Sequence, residues 1–360
     1  MNDVKLFSLA RVLCALVVVA VVGIPAESAG TTTPKRSSVT RNPTTQKLSL
    51  TKKNVSAKRT RASRARATQA QRARQLQEAR QPRFKFDSSG ALVPDIRAEA
   101  AIIYDPRTGQ VLWEQNSGDR RSIASITKVM TATVVLDDEN VDLTAPVVIE
   151  RSDVRAASTT YLRAGYKVSK GDLLHLLLIG SDNAAARALA RTSPYGSEGF
   201  VTRMNEKAAE LGLESTSYVD PSGLFNANLS SAYDMARLIS YVSGNERIAS
   251  IMQKPTYTLP AGGRTITVRS TNQLVKTGDV DVQAGKTGFI RAAGYCLATL
   301  LRMPQGGEEV AVVVLGARSN AGRFWETRHL LNWLSTKAED LMGGRLEAAA
   351  PPPATGPSAQ

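Results

Sequence analysis

Residues 121–138 read RSIASITKVMTATVVLDD and combine a serine and a lysine with an apolar run. An almost wholly apolar run follows Ser125 and Lys128, so it predicts a helix over 125–137 that carries its lysine in or beside a core. Residues three apart share a helix face, which places the two side chains within hydrogen-bond reach. Burial lowers the pKa of a lysine and can turn its amine into a base, so the pair suits nucleophilic catalysis. Ser125 is also a candidate N-cap of this helix.

The Ser-x-x-Lys pattern is too short to identify a site by itself. A second copy, SLTK at 49–52, shows that it arises by chance in a chain of 360 residues. That copy lies in a polar, basic segment with no apolar helix behind it, so we discard it. Other parts of the chain must therefore support the first copy.

A second candidate element is LLLIGSDNAAARALA, in which Ser181, Asp182 and Asn183 stand between two predicted helices. A helix cap explains these residues as well as catalysis does. In a catalytic site, the Ser181 hydroxyl could relay a proton to a leaving amine. The Asn183 amide could hold a substrate carbonyl and fix the lysine.

A third candidate element is Lys-Thr-Gly, which also occurs twice. The copy at 276–278 is followed by Asp279 and turn residues, and it predicts a solvated hairpin turn. The copy formed by Lys286, Thr287 and Gly288 follows another glycine and leads into a predicted strand. Because glycines allow a backbone to approach a ligand or another segment closely, we choose the second copy.

The predicted elements give an α+β fold. Two strands surround a Pro-Arg-Thr-Gly turn within 98–116, strands return at 292–302 and 308–318, and an amphipathic helix covers 322–342. The helices predicted between these strands cover 125–137, 170–180, 183–192, 199–212 and 231–242. We therefore expect an antiparallel sheet completed by both ends of the domain, flanked by helices, with an all-helical lobe inserted.

Four regions are predicted along the chain. Residues 1–29 are typical of an export signal, with an uncleaved anchor as the alternative. Residues 30–90 form a basic disordered arm, because 31–86 hold sixteen Lys or Arg against the single acid Glu78 and few large apolar residues. The arm is a spacer or binds an anionic wall or membrane surface. The folded domain covers 91–343, and 344–360 form a disordered Pro/Ala-rich tail.

Cysteine and histidine are scarce. The chain has two cysteines, of which Cys14 lies in the predicted signal, and two histidines. After cleavage only Cys296 remains, which excludes an intrachain disulfide. A His-based triad or a His/Cys metal site has too few residues, so we predict no metal and no cofactor.

The order Ser-x-x-Lys, Ser-x-Asn, Lys-Thr-Gly resembles that of the serine D-Ala-D-Ala peptidases, the low-molecular-mass penicillin-binding proteins. The resemblance covers about residues 95–337. It extends to the segments SYVDPSGLFNANLSSAYDMARL, RSTNQLV, AGKTGFIRAAGYC and VVVLGARSNAGRF. It implies a fold like that of DD-peptidases and β-lactamases.

The resemblance also implies residue roles. Ser125 would be the nucleophile, Lys128 its base, Ser181 a proton relay and Asn183 a group that orients the peptide. Backbone N–H groups of Ser125 and Phe289 would form the oxyanion hole. The substrate carboxylate would be held at the second Lys-Thr-Gly, which comprises Lys286, Thr287 and Gly288, together with Arg323, for which Arg318 is a rival.

The implied function is that of a serine D-alanyl-D-alanine carboxypeptidase that trims peptidoglycan stem peptides through an acyl-enzyme and is trapped by β-lactams. A D-alanyl-D-alanine endopeptidase that cuts cross-links is the alternative within the family. A non-catalytic cell-wall-binding protein is the alternative outside it. A β-lactamase is disfavoured, because no Glu-x-x-Leu-Asn segment lies between Asn183 and Lys286. We expect export to the periplasm or cell envelope and no nucleic-acid partner.

Overall fold

The computed structural model describes residues 63, 66–71, 73–74, 76–304 and 307–348, with side chains described as far as 337. The predicted signal, most of the basic arm and the end of the predicted tail lie outside these residues. Within the described ranges, no helix combines the length and apolar character needed to cross a membrane.

The described residues contain thirteen strands and nine α-helices that can be assigned bounds. The strands are β1 (Phe84–Phe86), β2 (Leu92–Pro94), β3 (Ala100–Tyr104), β4 (Val111–Gln115), β5 (Arg121–Ser122), β6 (Pro146–Val148), β7 (Lys167–Ser169), β8 (Leu229–Ser230), β9 (Thr256–Ala261), β10 (Arg264–Arg269), β11 (Asp281–Ile290), β12 (Gly294–Arg302) and β13 (Glu309–Ala317). The α-helices are α1 (Lys128–Leu136), α2 (Arg151–Val154), α3 (Lys170–Ile179), α4 (Asn183–Arg191), α5 (Gly196–Glu210), α6 (Ala232–Ser243), α7 (Glu246–Met252), α8 (Gln273–Thr277) and α9 (Asn320–Ala348).

The main sheet has five strands in the order β11-β12-β13-β3-β4, and every neighbouring pair is antiparallel. Its first two strands in the chain, β3 and β4, therefore join strands from the other end of the domain through the β3–β13 pair. The predicted antiparallel sheet completed by both ends, and the α+β class, are confirmed. Strand β11 lies at the edge of this sheet.

The sheet is buried on both faces. Along β3, Ile102 belongs to one apolar cluster and Ile103 to the other, as the alternation of side chains across a strand requires. The first cluster contains the α6 side chains and the helical lobe of α1 and α3–α5. The second contains Phe324 and Leu330 of α9. Helices α6 and α9 thus cover opposite faces, and α7 packs against edge strand β11.

Two hairpins were absent from the sequence-based prediction. The β9–β10 hairpin turns at Gly262 and Gly263, with φ of 59° and 73°. Two adjacent glycines between alternating residues are a hairpin signature, so this signal was present in the sequence. The β1–β2 hairpin has only three residues a strand and lies partly in the predicted arm. Such short strands leave too little alternation to detect.

The first Lys-Thr-Gly copy does not form the predicted hairpin turn. Lys276 and Thr277 end helix α8, and Gly278 follows at φ 66° as its left-handed C-cap. The Arg328 guanidinium of α9 bonds the Asp279 carboxylate at 2.8 Å. This copy is thus a helix terminus tied to α9.

Candidate active site

Ser125 lies in a 3₁₀ turn over Ala124–Thr127 that leads directly into α1. The N-cap of this turn is Ile123, and no side chain caps it. The predicted capping role of Ser125 is therefore wrong. Ser125 is partly exposed, and its hydroxyl lies within hydrogen-bond distance of Lys128 in the next turn.

Lys128 is the first residue of α1 and is fully buried. Its Nζ lies 2.9 Å from Ser125 Oγ and 2.6 Å from Asn183 Oδ1, and it also bonds the carbonyl oxygen of Ser222. The last two partners come from residues distant in the sequence. The tertiary fold therefore surrounds this amine with three oxygen atoms, one of which is the hydroxyl oxygen of Ser125.

Burial favours a neutral amine at Lys128, and its three oxygen contacts are compatible with one. A neutral amine has two N–H donors and one lone pair, whereas an amide oxygen and a peptide carbonyl can only accept. If Asn183 Oδ1 and the Ser222 carbonyl take the two N–H groups, the lone pair of Lys128 faces the Ser125 hydroxyl. Burial lowers the pKa of Lys128 to about 7, although the negative charges of Asp220 and Asp182 oppose that shift.

The loop that supplies the Ser222 carbonyl is organised by Asp220. This buried carboxylate accepts from the backbone N–H groups of Ser222 (2.9 Å), Gly223 (3.1 Å) and Phe225 (3.2 Å), and from the side chains of Ser222 and Asn228. Burial would raise the pKa of Asp220, but these hydrogen bonds outweigh it and hold the pKa below its usual value. The loop therefore carries a fixed negative charge close to Lys128.

Gly223 brings this loop against the nucleophile turn. At φ 77°, a Cβ on this residue would stand 2.0 Å from the carbonyl oxygen of Ala124. Since no side chain can be accommodated there, a glycine is required for the loop to reach the turn.

Ser181 and Asn183 lie between helices α3 and α4, as predicted. Ser181 has φ 58°, a left-handed conformation, and Asp182 caps α4 by accepting from the Ala185 N–H at 3.0 Å. Asn183 is the first residue of α4 and donates from Nδ2 to the Ala157 carbonyl at 2.6 Å. Capping and site formation thus use different residues of this segment: Asp182 caps, while its neighbours face the site.

Lys286 joins the Ser181 side of the site to edge strand β11. Its Nζ lies 2.9 Å from both Ser181 Oγ and the Thr287 carbonyl oxygen. Burial holds the pKa of Lys286 well below its usual value, and the nearby Lys128 charge lowers it further. Lys128 and Lys286 are thus each paired with a serine hydroxyl, and the first copy of Lys-Thr-Gly contributes nothing here.

Thr287 exchanges a hydrogen bond of 2.6 Å with the hydroxyl of Thr271. Thr271 is fixed in turn, because its N–H donates to the Ile179 carbonyl at 3.0 Å. The orientation of the Thr287 hydroxyl is therefore set by a residue outside the three sequence elements.

Gly288 lets β11 approach the nucleophile turn. A Cβ on it would stand 2.6 Å from the carbonyl oxygen of Ile123 and 3.3 Å from the Ile126 nitrogen. The next residue, Phe289, is half exposed and stacks on Tyr295 with ring centroids 4.2 Å apart. The backbone after Gly288 thus lies beside the backbone of the nucleophile turn.

Arg323 is buried against the backbone of β11 and β12. Its Nη1 donates to the carbonyl oxygens of Gly288 (2.8 Å) and Cys296 (3.1 Å), and its Nη2 donates to Asn320 Oδ1 at 2.5 Å. Only 6% of Arg323 is exposed, and burial lowers its pKa to about 10. Its rival Arg318 is exposed and lines a different cavity with Glu326. The donors of Arg323 are thus committed largely to holding the two strands together.

Sequence reasoning missed Asp220, Ser222 and Thr271 as parts of this site. All three stand in segments on which the family resemblance was noted, SYVDPSGL and RSTNQLV, but no motif gave them a role. The contact of Ser222 is made by its main-chain oxygen, which no pattern of side chains can reveal.

Comparisons with known proteins identify the family to which this chain is similar. The family model described as D-alanyl-D-alanine carboxypeptidase matches residues 87–319. A D-alanyl-D-alanine endopeptidase of Pseudomonas aeruginosa is 35% identical over 255 residues, which cover 68% of this chain and 79% of that protein. The D-alanyl-D-alanine carboxypeptidase DacC of Escherichia coli is 32% identical, over 67% of this chain and 62% of its own length. The solved structure of the Streptomyces K15 DD-transpeptidase matches with a TM-score of 0.63 at 29% identity, over 67% of this chain and 97% of that one.

Proposed function

This chain belongs to the D-alanyl-D-alanine carboxypeptidase family, and we propose that Ser125 is the nucleophile with which it attacks the D-Ala-D-Ala amide. The protein is a serine-type D-Ala-D-Ala peptidase, a hydrolase, so the non-catalytic alternative is set aside. The predicted carboxypeptidase function is confirmed by the family and by its relatives. The single observation that carries the proposed role of Ser125 is the buried amine of Lys128, 2.9 Å from its hydroxyl.

In the first step, Lys128 takes the proton of the Ser125 hydroxyl while Oγ attacks the carbonyl carbon between the two D-alanines. The lone pair that faces Ser125 supports this role, because the other contacts of the amine are acceptors. When the tetrahedral intermediate collapses, the C–N bond breaks and the leaving amine needs a proton. Ser181 passes this proton from Lys128 to the amine, and the acyl group stays on Ser125.

In the second step, water attacks the acyl-enzyme with Lys128 as its base again. The proton that water gives up returns to Ser125 Oγ as the ester bond breaks, which restores both groups. Asn183 holds Lys128 through Oδ1 and orients the peptide through the second N–H of its amide. A β-lactam reacts in the first step and remains attached to Ser125.

The backbone N–H groups of Ser125 and Phe289 form the oxyanion hole. The close approach of Gly288 to the nucleophile turn supports this assignment, because it brings the two backbones together. Two preorganised N–H donors stabilise the charge that develops on the carbonyl oxygen in the transition state.

Lys286 and Thr287 hold the carboxylate of the leaving D-amino acid. Thr287 gives a hydroxyl donor, and Lys286 lies beside it on the same strand. Arg323 contributes to substrate binding as a positive charge beneath the strand. It also positions Gly288, since its Nη1 donates to the carbonyl oxygens of Gly288 and Cys296. Because the donors of Arg323 are committed in this way, Lys286 and Thr287 contact the carboxylate and Arg323 supports them from below.

Endopeptidase activity is the second candidate, and the comparisons favour it in one respect. The endopeptidases of Pseudomonas aeruginosa and Escherichia coli are 35% and 34% identical to this chain, whereas the Escherichia coli carboxypeptidase DacC is 32% identical. Both reactions break the amide after a D-alanine and release an amine that carries a carboxylate neighbour. They differ in the size of the leaving group.

Penicillin labelling tests the site. The purified protein is expected to form a covalent adduct with benzylpenicillin that peptide mass spectrometry maps to Ser125. Ser125→Ala should form none, whereas Ser152→Ala, which removes an exposed hydroxyl, should label like the wild type. An adduct on another residue, or labelling that survives in Ser125→Ala, would contradict the proposed nucleophile.

Purified muropeptides then separate the two activities. Free D-alanine from pentapeptide monomers identifies a carboxypeptidase, and conversion of cross-linked dimers into monomers identifies an endopeptidase. Ser125→Ala is the control for both products.

Export to the cell envelope follows from the substrate, because peptidoglycan lies outside the cytoplasm. We assign residues 1–29 as the signal and the basic residues of 31–86 as an arm that binds an anionic wall or membrane surface. Determination of the mature N-terminus by mass spectrometry tests the first assignment. Deletion of 31–86 tests the second, because it should reduce retention on wall or vesicles.

A further inference from the structure

The β1–β2 hairpin exposes an apolar face where a surface hairpin is ordinarily polar. In its antiparallel register Phe84 stands opposite Pro94, and Phe86 stands opposite Leu92. Residues opposite each other share a face, so Phe84, Phe86 and Leu92 lie together. Their exposed fractions are 48%, 75% and 53%, whereas Pro94, opposite Phe84, is buried. Antiparallel strands that cover a core usually turn polar side chains to solvent, and this hairpin does the reverse.

The other face of the hairpin is already used by the fold. Val93 is buried in the apolar cluster beneath α9, and the Lys85 ammonium bonds Gln115 Oε1 of β4 at 3.2 Å. The hairpin is thus attached to the domain through this inner face. The exposed side chains are therefore presented on a fixed element of the structure.

Helix α9 extends the apolar face. A groove of about 510 Å³ lies between the hairpin and α9 and is lined on the helix side by Trp333 and Lys337. The Trp333 indole N–H lies 3.4 Å from the Leu92 carbonyl oxygen, and the Lys337 ammonium lies 5.0 Å from the centroid of the indole ring. Aromatic rings with an apolar body and a polar edge, beside long cationic side chains, are typical of surfaces that meet a lipid interface.

The segment of the sequence that leads into β1 is strongly basic. The segment 31–86, which ends in β1, holds sixteen Lys or Arg against one acid. Its described residues in 66–80 are helical and all exposed except Ala79, which is partly buried. Such a charge is complementary to anionic lipid headgroups and is unfavourable for pairing with a second copy of the same chain. A stable dimer would also need about 20–30 residues a side, far more than this face offers.

We propose that Phe84, Phe86 and Leu92, with Trp333, form an insertion surface for an anionic lipid bilayer, to which the basic arm adds electrostatic attraction. This inference specifies the membrane as the partner of the arm, and so it rests on that part of the proposed function. The aromatic side chains enter the headgroup region while the arm binds phosphates. Two such signals together give stable attachment where either alone is weak and reversible.

Binding at low and high salt separates apolar insertion by the hairpin from electrostatic attraction by the arm. The mature chain, as recovered from an exporting host, is mixed with vesicles of phosphatidylglycerol and phosphatidylethanolamine and sedimented. The measurement is made at about 0.1 M salt, where the Debye length is about 10 Å, and at about 1 M, where it is about 3 Å. We expect the wild type to remain bound at high salt, and Phe84→Ser/Phe86→Ser to lose at least about tenfold of its partition coefficient there. Tyr195→Ser removes an equally exposed aromatic elsewhere and should bind like the wild type.

Penicillin labelling of each variant shows whether the domain is folded and active. A variant that labels normally but does not bind vesicles has lost membrane attachment and not catalysis. If the double variant does not label, Phe86→Ser alone replaces it, because Phe86 is the more exposed of the two. The proposal is overturned if the serine variants bind as the wild type does at high salt, or if the wild type itself is released there. It is also overturned if the wild type binds purified wall but not vesicles, or binds phosphatidylcholine vesicles equally well.

Discussion

Replacement of Lys128 by arginine gives the most direct test of the buried base. Arginine keeps the positive charge and much of the length, but it remains protonated and has no lone pair to offer Ser125. Because Asn183 Oδ1 and the Ser222 carbonyl can still accept hydrogen bonds, the substitution removes proton abstraction more than it removes polar contacts. We expect Lys128→Arg to lose about 10²- to 10⁴-fold in the rate of acylation by benzylpenicillin, as for the loss of a general base.

The pKa of Lys128 sets the size of the pH effect. With a pKa of about 7, roughly half of the molecules carry a neutral amine at pH 7, whereas a lysine at its ordinary value would be neutral in about one in 3,000. Burial therefore raises the competent fraction by about 10³-fold. The acylation rate of the wild type should fall about tenfold for each pH unit below about 6.5 and reach a plateau above about 8.

The lowered pKa of Lys128 also makes the free energy of unfolding depend on pH. The folded pKa of Lys128 lies below the unfolded value, so the unfolded chain binds more protons between pH of about 7 and 10.5. The contribution of this group to the free energy of unfolding therefore rises with pH across that window, by up to roughly 5 kcal/mol. Lys128→Arg should not show this rise when urea unfolding is compared at pH of about 7 and 9.

Stopped-flow acylation with a fluorescent penicillin, followed from pH about 5 to 10, measures the rate. Lys167→Arg is the matched control, because Lys167 is exposed and its substitution should leave the profile unchanged. A wild-type rate that kept rising to pH 10 would show that Lys128 is not the titrating base. A Lys128→Arg variant that kept more than about a tenth of the wild-type rate would show that Lys128 is not the general base.

Three further substitutions test the elements around the base. Gly288→Ala places a Cβ 2.6 Å from the Ile123 carbonyl oxygen and should slow acylation by about 10- to 10²-fold. The control is Gly118→Ala, whose Cβ meets nothing within 4 Å and should leave the acylation rate unchanged. Thr271→Val removes the hydrogen-bond partner of Thr287 and should raise KM for a D-Ala-D-Ala peptide by up to about tenfold, with little change in kcat. Thr271→Ser keeps a hydroxyl and should keep the wild-type KM. An unchanged KM in Thr271→Val would exclude this positioning role. Asp220→Asn removes a negative charge that raises the pKa of Lys128, so the acid limb of the acylation profile should move to lower pH; a shift to higher pH would contradict the electrostatic argument.

Strand β1 forms at the end of a segment whose composition predicts disorder. The basic composition of 31–86 predicted disorder, yet β1 pairs with β2 at the end of that segment. The pairing is stabilised by burial of Val93 in a cluster of residues from β3, β13 and α9, which are distant in the chain. Composition reports the local balance of charge and apolar surface, and it does not report what a neighbouring helix can cover.

Local sequence patterns were enough to predict the fold class and the three motifs that meet in the candidate site. Periodicity, turn residues and the order of the motifs are local properties, so the chain predicts α1, α3, α4, the strands β3, β4, β12 and β13 and the candidacy of Ser125 and Lys128 without reference to contacts. Strand β11, which carries the second Lys-Thr-Gly, was not predicted as a strand. Tertiary structure decided how these groups can react. The lowered pKa of Lys128 depends on burial, and the position of its amine depends on acceptors 55 and 94 residues away, one of which is a main-chain oxygen in the loop organised by Asp220. Burial of Arg323 against Gly288 and Cys296 was likewise set by the packing of α9 on the sheet. A motif specifies which chemical groups are present, but the pKa of a group and the direction of its lone pair depend on residues that only folding brings close.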